Sequence, residues 1–246
     1  LFSVVLFYHF AFLAISIALL GLGAGGVTAY LLKRKLAATD TRELAARLCM
    51  GNAVVVVMVL EIVLRVPVAL SVSWSNFGRL TILYLAAAVP FFLTGLLFAV
   101  VFARETRRIP RLYGSDLCGG ALACLAVVPL LNWVGAPNVI LMAGTAMATA
   151  GATWAESRTR RQNAALTSVA LLVLIAGNYS GGVFDVVYAK GLFRDPSQVE
   201  FARWNALSRV EVDRKNQAKL VVIDADANTF IMNADVAHWH DTEWEN

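Results

Sequence analysis

The chain has 246 residues, 59% of them hydrophobic and 15% charged, with a mean hydropathy of +0.65. Soluble domains run nearer ~45–50% apolar and ~25% charged, so the composition excludes an ordinary soluble globular domain. The net charge is +4, yet the Lys/Arg excess lies within residues 1–179 while residues 180–246 are net acidic; this is the pattern of basic loops on a membrane part with an acidic tail, not of a nucleic-acid-binding surface.

Taken in order, the first apolar run, span A, covers Phe2–Leu32. It exceeds the ~20 residues a bilayer needs and is expected to tilt or extend. Gly21, Gly25 and Ala29 form a small-residue row at four-residue spacing, a helix-packing signal. Gly21–Gly26 also fits GxGxxG, but that fingerprint needs a strand, a turn and then an amphipathic helix, and here the apolar run is continuous up to Lys33-Arg34-Lys35. His9, beside Tyr8, reads as an interfacial or bundle-facing histidine.

Lys33–Arg47 is a polar, basic connector. Span B covers about Ala46–Val66, with Glu61 and Arg65 at i and i+4 forming an internally paired set. Pro67–Gly78 is uncharged and holds Trp74, an interface-type anchor. Span C covers about Leu80–Phe102, with Pro90 as a possible kink. Four arginines follow (Arg104, Arg107, Arg108, Arg111), then span D, Leu112–Leu131.

Span D carries a carboxylate, Asp116, beside two small-residue rows: Ser115, Gly119, Ala123, and Asp116, Gly120, Cys124. Small rows let helices approach closely in lipid, so this span is expected inside a bundle with Asp116 facing protein. An intramembrane carboxylate is a functional candidate; against that, Asp116 follows the arginines closely and could snorkel, cap the helix start or pair with Arg111. Asn132–Asn138 is an uncharged turn, span E covers about Val139–Ala155, Glu156–Arg161 is basic, and span F is a short run at Ala164–Gly177.

Basic and uncharged connectors alternate, so the positive-inside rule puts the A–B, C–D and E–F connectors in the cytoplasm. The tail is extracytoplasmic if span F crosses and cytoplasmic if it is re-entrant.

In the tail, Pro196–Trp204 reads as a short helix or loop. Leu207–Val212, Leu220–Ile223 and Thr229–Met232 read as strands, with Val210 and Val212 alternating with Glu211 and Asp213, and Arg214–Gln217 as a hairpin turn. Asp224–Asn228 resembles the opening of a calcium loop, but Thr229 and Asp235 stand where Gly and Glu belong, so a polar turn between strands is expected. His238, His240 and Glu243 lack a fourth metal ligand. Cys49, Cys118 and Cys124 show no zinc or redox spacing. Asn178-Tyr-Ser180 is a glycosylation sequon. The fold class expected is an α-helical polytopic membrane bundle of about six spans (1–178) followed by a small antiparallel β lead-in (179–246). The expected location is the bacterial inner membrane. The bilayer is the expected partner, with homo-oligomers through the small-residue faces and no nucleic acid.

Three stretches carry a resemblance: Tyr8–Phe12 with Gly21–Gly25, Leu112–Leu117 with Gly119-Gly120, and Arg203–Val212 with Val222–Asp226. As a set they resemble the membrane-fused spermidine synthase-like proteins of bacteria, in which a polytopic bundle precedes an aminopropyltransferase-type domain. The resemblance implies that the tail is the β-structure ahead of the nucleotide-binding domain, that it is cytoplasmic, and that the full-length chemistry is alkyl transfer from a sulfonium donor to an amine. The glycine-rich cofactor loop and catalytic acid of that family have no counterpart here. No catalytic residue, cofactor or metal is therefore assigned, and the chain reads as an inactive piece of a longer protein. Two further readings stand beside it: a transporter-like, major-facilitator-like bundle with Asp116, His9, Glu61 and Arg65 lining a path, and a membrane scaffold.

Overall fold

The structure, a computed structural model, describes residues 1–6, 10–69, 72–215 and 218–231. His9 and the stretch containing Asp235, His238, His240 and Glu243 lie outside the described residues. The helices are α1 (Phe2–Val5), α2 (Ala11–Leu31), α3 (Lys33–Leu36), α4 (Thr41–Arg65), α5 (Trp74–Arg104), α6 (Ile109–Trp154) and α7 (Arg158–Gly181). The strands are β1 (Tyr188–Ala189), β2 (Leu192–Phe193), β3 (Val199–Trp204), β4 (Arg209–Lys215), β5 (Ala218–Ile223) and β6 (Ala227–Ile231). Among the described residues, five helices are long and apolar enough to cross a membrane: α2, α4, α5, α6 and α7.

Span A is not one helix. Val4, Val5 and Leu6 are buried, and the Val5 carbonyl accepts from the Lys190 N–H at 2.7 Å. The opening residues thus pack against α4 and the tail strand β1 as well as α2. The polar connectors also became helical. Asp40 caps α4 by accepting from the Arg42 N–H at 2.8 Å, so that helix begins before the apolar run.

Contacts order the helices as a row: α2 on α5, α5 on α4, α4 on the second half of α6, and that half on α7. Gly21 sits against Ala88 and Phe91, and Gly25 against Phe92 and Leu96, so α2 and α5 run parallel. Asn52 meets Pro90 and Thr94, while Arg104 meets Thr39 and Thr41, so α4 and α5 run antiparallel. Asn178 meets Asn138, Thr149 meets Ser168, and Arg161 meets Ala155, so α6 and α7 run antiparallel along their whole shared length. Span F is therefore a full-length helix rather than a short one. α5 continues through Pro90, whose carbonyl accepts from Asn52 Nδ2 at 3.2 Å and Thr94 Oγ1 at 2.9 Å.

The 46 residues of α6 would reach ~69 Å if straight, against a hydrocarbon thickness of ~30 Å. They are not straight. Gly135 leaves helical geometry at φ 80°, ψ 162°, and Asp116 and Trp154 line the same groove. Only a chain that folds back at Gly135 brings those two residues together, so spans D and E are the two arms Ile109–Val134 and Ala136–Trp154. The first arm is not enclosed: Ser115, Asp116, Gly119 and Ala123 are all exposed, contrary to the expectation that this row is packed inside the bundle. The physical reason is the fold-back, which pairs α4 and α7 with the second arm and leaves the first on the outside.

The tail forms a two-stranded ribbon, β1–β2, and a four-stranded antiparallel meander, β3–β4–β5–β6. Pro196–Trp204 is not a helix or loop: after a turn at Asp195–Gln198, Val199–Trp204 pairs with β4. Asp224–Asp226 is a tight turn between β5 and β6, with Asp224 at φ 52° and Ala225 at φ 55°. The meander sits at the end of the row where α4 finishes, α5 starts and α6 breaks; Lys33–Lys35, Arg104 and Arg158 lie at the opposite end.

Candidate functional site

Among the described residues, the sequence-derived polar candidates Glu61, Arg65 and Asp116 do not converge. Glu61 and Arg65 pair at 2.5 Å on α4, at the end that carries the tail. Asp116 lies on the first arm of α6, about two turns from its start at the basic end. No path joins them. Asn52, which the sequence reading passed over, is buried between α4 and α5 and holds Thr94 Oγ1 at 2.9 Å. The small row of α2 lies in a tight crossing. A Cβ at Gly25 would lie 2.3 Å from the Phe92 carbonyl oxygen, and one at Gly95 2.3 Å from the Leu22 carbonyl oxygen.

At the basic end, ion pairs and backbone contacts tie the helices. Glu43 accepts from Arg47 Nε at 2.7 Å and pairs with Arg160, which joins α4 to α7. Arg104 donates to the carbonyls of Leu36 at 2.6 Å and Thr39 at 2.8 Å, capping the turn that leaves α3.

The densest constellation lies within the tail. β4 alternates, as its sequence requires, but its charged face is the buried one: Arg209, Glu211 and Asp213 are buried, while Val210 and Val212 are half-exposed. Arg209 lies opposite Trp204 across the β3–β4 ladder, with its guanidinium carbon 5.4 Å from the ring centroid. Its Nε is 2.9 Å from Glu211 Oε1, and its Nη1 2.8 Å from Asp185 Oδ1. Arg194, from β2's exit, pairs with Glu211 and reaches Asp213 Oδ2 at 2.8 Å. Burying this many charges is tolerable only because each has an opposite neighbour. Arg209 Nε and Nη1 lie at ion-pair distance without well-aligned hydrogen bonds, so these contacts are chiefly Coulombic.

Trp204 itself rests on the break in α6. A Cβ at Gly135 would lie 2.9 Å from Trp204 Cδ1, and one residue-turn away the Ala206 N–H donates to Asn132 Oδ1 at 2.8 Å. Nearby, Asn178 Nδ2 donates to Asn138 Oδ1 at 2.8 Å, and Asn178 Oδ1 accepts from the Phe184 N–H at 2.5 Å. The sequon asparagine is thus buried and engaged, a poor acceptor for a glycan in the folded chain. On the exposed rim, the Ser197 hydroxyl and N–H hold the Asp195 carboxyl below its ordinary range, and Lys219 does the same for Glu200.

Neither Arg194 nor Arg209 was singled out in the sequence. The available signal was charge at period two, Arg209, Glu211, Asp213, which balances only when Arg194 is counted with it. Among the described residues, no group of three or more His, Cys, Asp or Glu side chains could hold a metal ion. Comparison with protein-family models, curated proteins and solved structures finds no match.

Proposed function

We propose that this chain is a polytopic membrane scaffold of about six crossings that fixes a small β-module to one face of the bilayer. The observation that carries it is the seam between the two parts: Trp204 seated on Gly135, Ala206 bonded to Asn132, and the Val187 and Lys190 N–H groups donating to the Leu64 and Val5 carbonyls. A module merely tethered would not need such a seam. Trp74 and Trp133, both highly exposed at the tail-bearing end, fit interface anchors. With the arms of α6 counted as two crossings, the basic connectors share the other end, and the positive-inside rule assigns the module to the extracytoplasmic face of a bacterial inner membrane.

The spermidine synthase-like reading is supported by one feature: an antiparallel meander occupies the stretch which the resemblance gives to the β lead-in. It requires a cytoplasmic tail, because sulfonium cofactors are made there. A transporter path draws no support from Asp116, Glu61 and Arg65, which stand at opposite ends of the row.

A reporter pair fused after Asn246, one partner active only in the cytoplasm and the other only outside it, tests the assignment. Activity of the outside reporter is expected. Activity of the cytoplasmic one would sink the extracytoplasmic scaffold and favour the enzyme-associated reading.

A further inference from the structure

The first arm of α6 and the last turns of α5 do not close on one another. A groove of about 380 Å³ separates them, with Phe98 and Phe102 on one wall, Trp154 at the end, and Asp116, Gly119 and Gly120 along the other. The Phe98 and Phe102 rings are 6.1 Å apart and tilted 40°. Asp116 is the only charged group lining it, and among the described residues no Lys or Arg lies within ion-pair distance of that carboxylate. Arg104 donates to the carbonyls of Leu36 and Thr39, and Arg108 pairs with Glu105. Gly119 and Gly120 leave the floor open, since a Cβ at either would meet nothing within 4 Å.

We propose that this groove binds a hydrophobic primary ammonium, a single-chain amine carried in the membrane. An unpaired carboxylate beside lipid calls for a cation, and aromatic faces attract cations while also accepting an apolar body. The size suits a small ligand rather than a helix. The groove extends from Trp154 and Phe102 near the basic end inward to Gly120, so the ammonium rests on Asp116 and the alkyl chain follows the glycine floor inward. The inference rests on the membrane reading proposed above, because only then does the groove face lipid.

Native mass spectrometry of the whole chain, released from a neutral detergent, tests it with dodecylamine, dodecanol and butylamine as probes. One dodecylamine retained per chain is expected, with at least a tenfold weaker hold in Asp116→Asn. In Gly119→Leu, which fills the floor at an open position, retention should also drop without loss of thermal stability. Equal retention by Asp116→Asn, or dodecanol held as firmly as the amine, overturns the proposal. Butylamine held as firmly as dodecylamine overturns the membrane-borne source, and so does a second copy of the chain covering the groove. Resistance of the chain to alkaline extraction from membranes is measured separately, so that failure of the membrane reading is told apart from failure of the amine site.

Discussion

Trp204 sits on the backbone of Gly135, so the side chain that anchors the β-module occupies the space a Cβ would need at the break in α6. The two features depend on each other. Gly135 adopts φ 80°, ψ 162°, a region open essentially to glycine alone, and the bare backbone this leaves is the surface on which the indole rests.

Gly135→Ala therefore meets two costs, backbone strain of ~1–3 kcal/mol and a steric clash with the indole. Thermal unfolding of the single variant and of Gly135→Ala with Trp204→Ala separates them. The double variant should recover the clash but not the strain, giving a smaller loss than the sum of the two single changes. Strict additivity would show that the residues do not act together.

Arg209→Met removes one partner from a buried charge set, leaving Asp185 without its arginine and Glu211 with Arg194 alone. A loss of ~3–5 kcal/mol is expected, concentrated in the tail. Limited proteolysis should then cut within the β-module while the helices stay protected. Adding Glu211→Gln should restore part of the resistance, because Arg194 then has fewer carboxylates to balance.

The glycines of α2 divide into two classes. Gly25→Ala forces a Cβ to within 2.3 Å of the Phe92 carbonyl oxygen, so α2 and α5 must separate and the chain should lose stability. Gly23→Ala and Gly26→Ala meet nothing within 4 Å and should be neutral or stabilising by up to ~1 kcal/mol from helix propensity. Melting temperatures in one detergent compare all three; equal effects would remove the crossing as the cause.

Glu61→Gln breaks an exposed i,i+4 pair on α4. Such pairs contribute ~0.3–0.5 kcal/mol, so stability should hardly change. A collapse of folding or of membrane insertion in this variant would assign Glu61 a role that its geometry does not show.

Apolar runs bounded by basic and uncharged connectors located every membrane-length helix, because hydropathy and helical geometry are local properties of the chain. The small row at Gly21 and Gly25 was likewise readable, and it lies in a close crossing. The Asp224–Asp226 turn was legible from its residue types. What sequence left open was pairing. Alternation along β4 announces two faces but not which one is covered, and the tertiary contacts covered the charged face because Arg194 arrives from elsewhere to balance it. The turn between spans D and E was read at Asn132–Asn138, where the break at Gly135 falls, but the small residues near Asp116 did not reveal that the fold-back leaves that arm outside the row. Span F was read as short because Arg158–Arg161 is polar, yet α7 extends through it, held by Arg160 on Glu43 and Arg161 on the Ala155 carbonyl. Local composition determined which segments are apolar helices, whereas Val199–Trp204 is a strand through its pairing with β4; contacts between residues far apart in the chain decided the neighbours, the buried faces and the end of the bundle on which the tail rests.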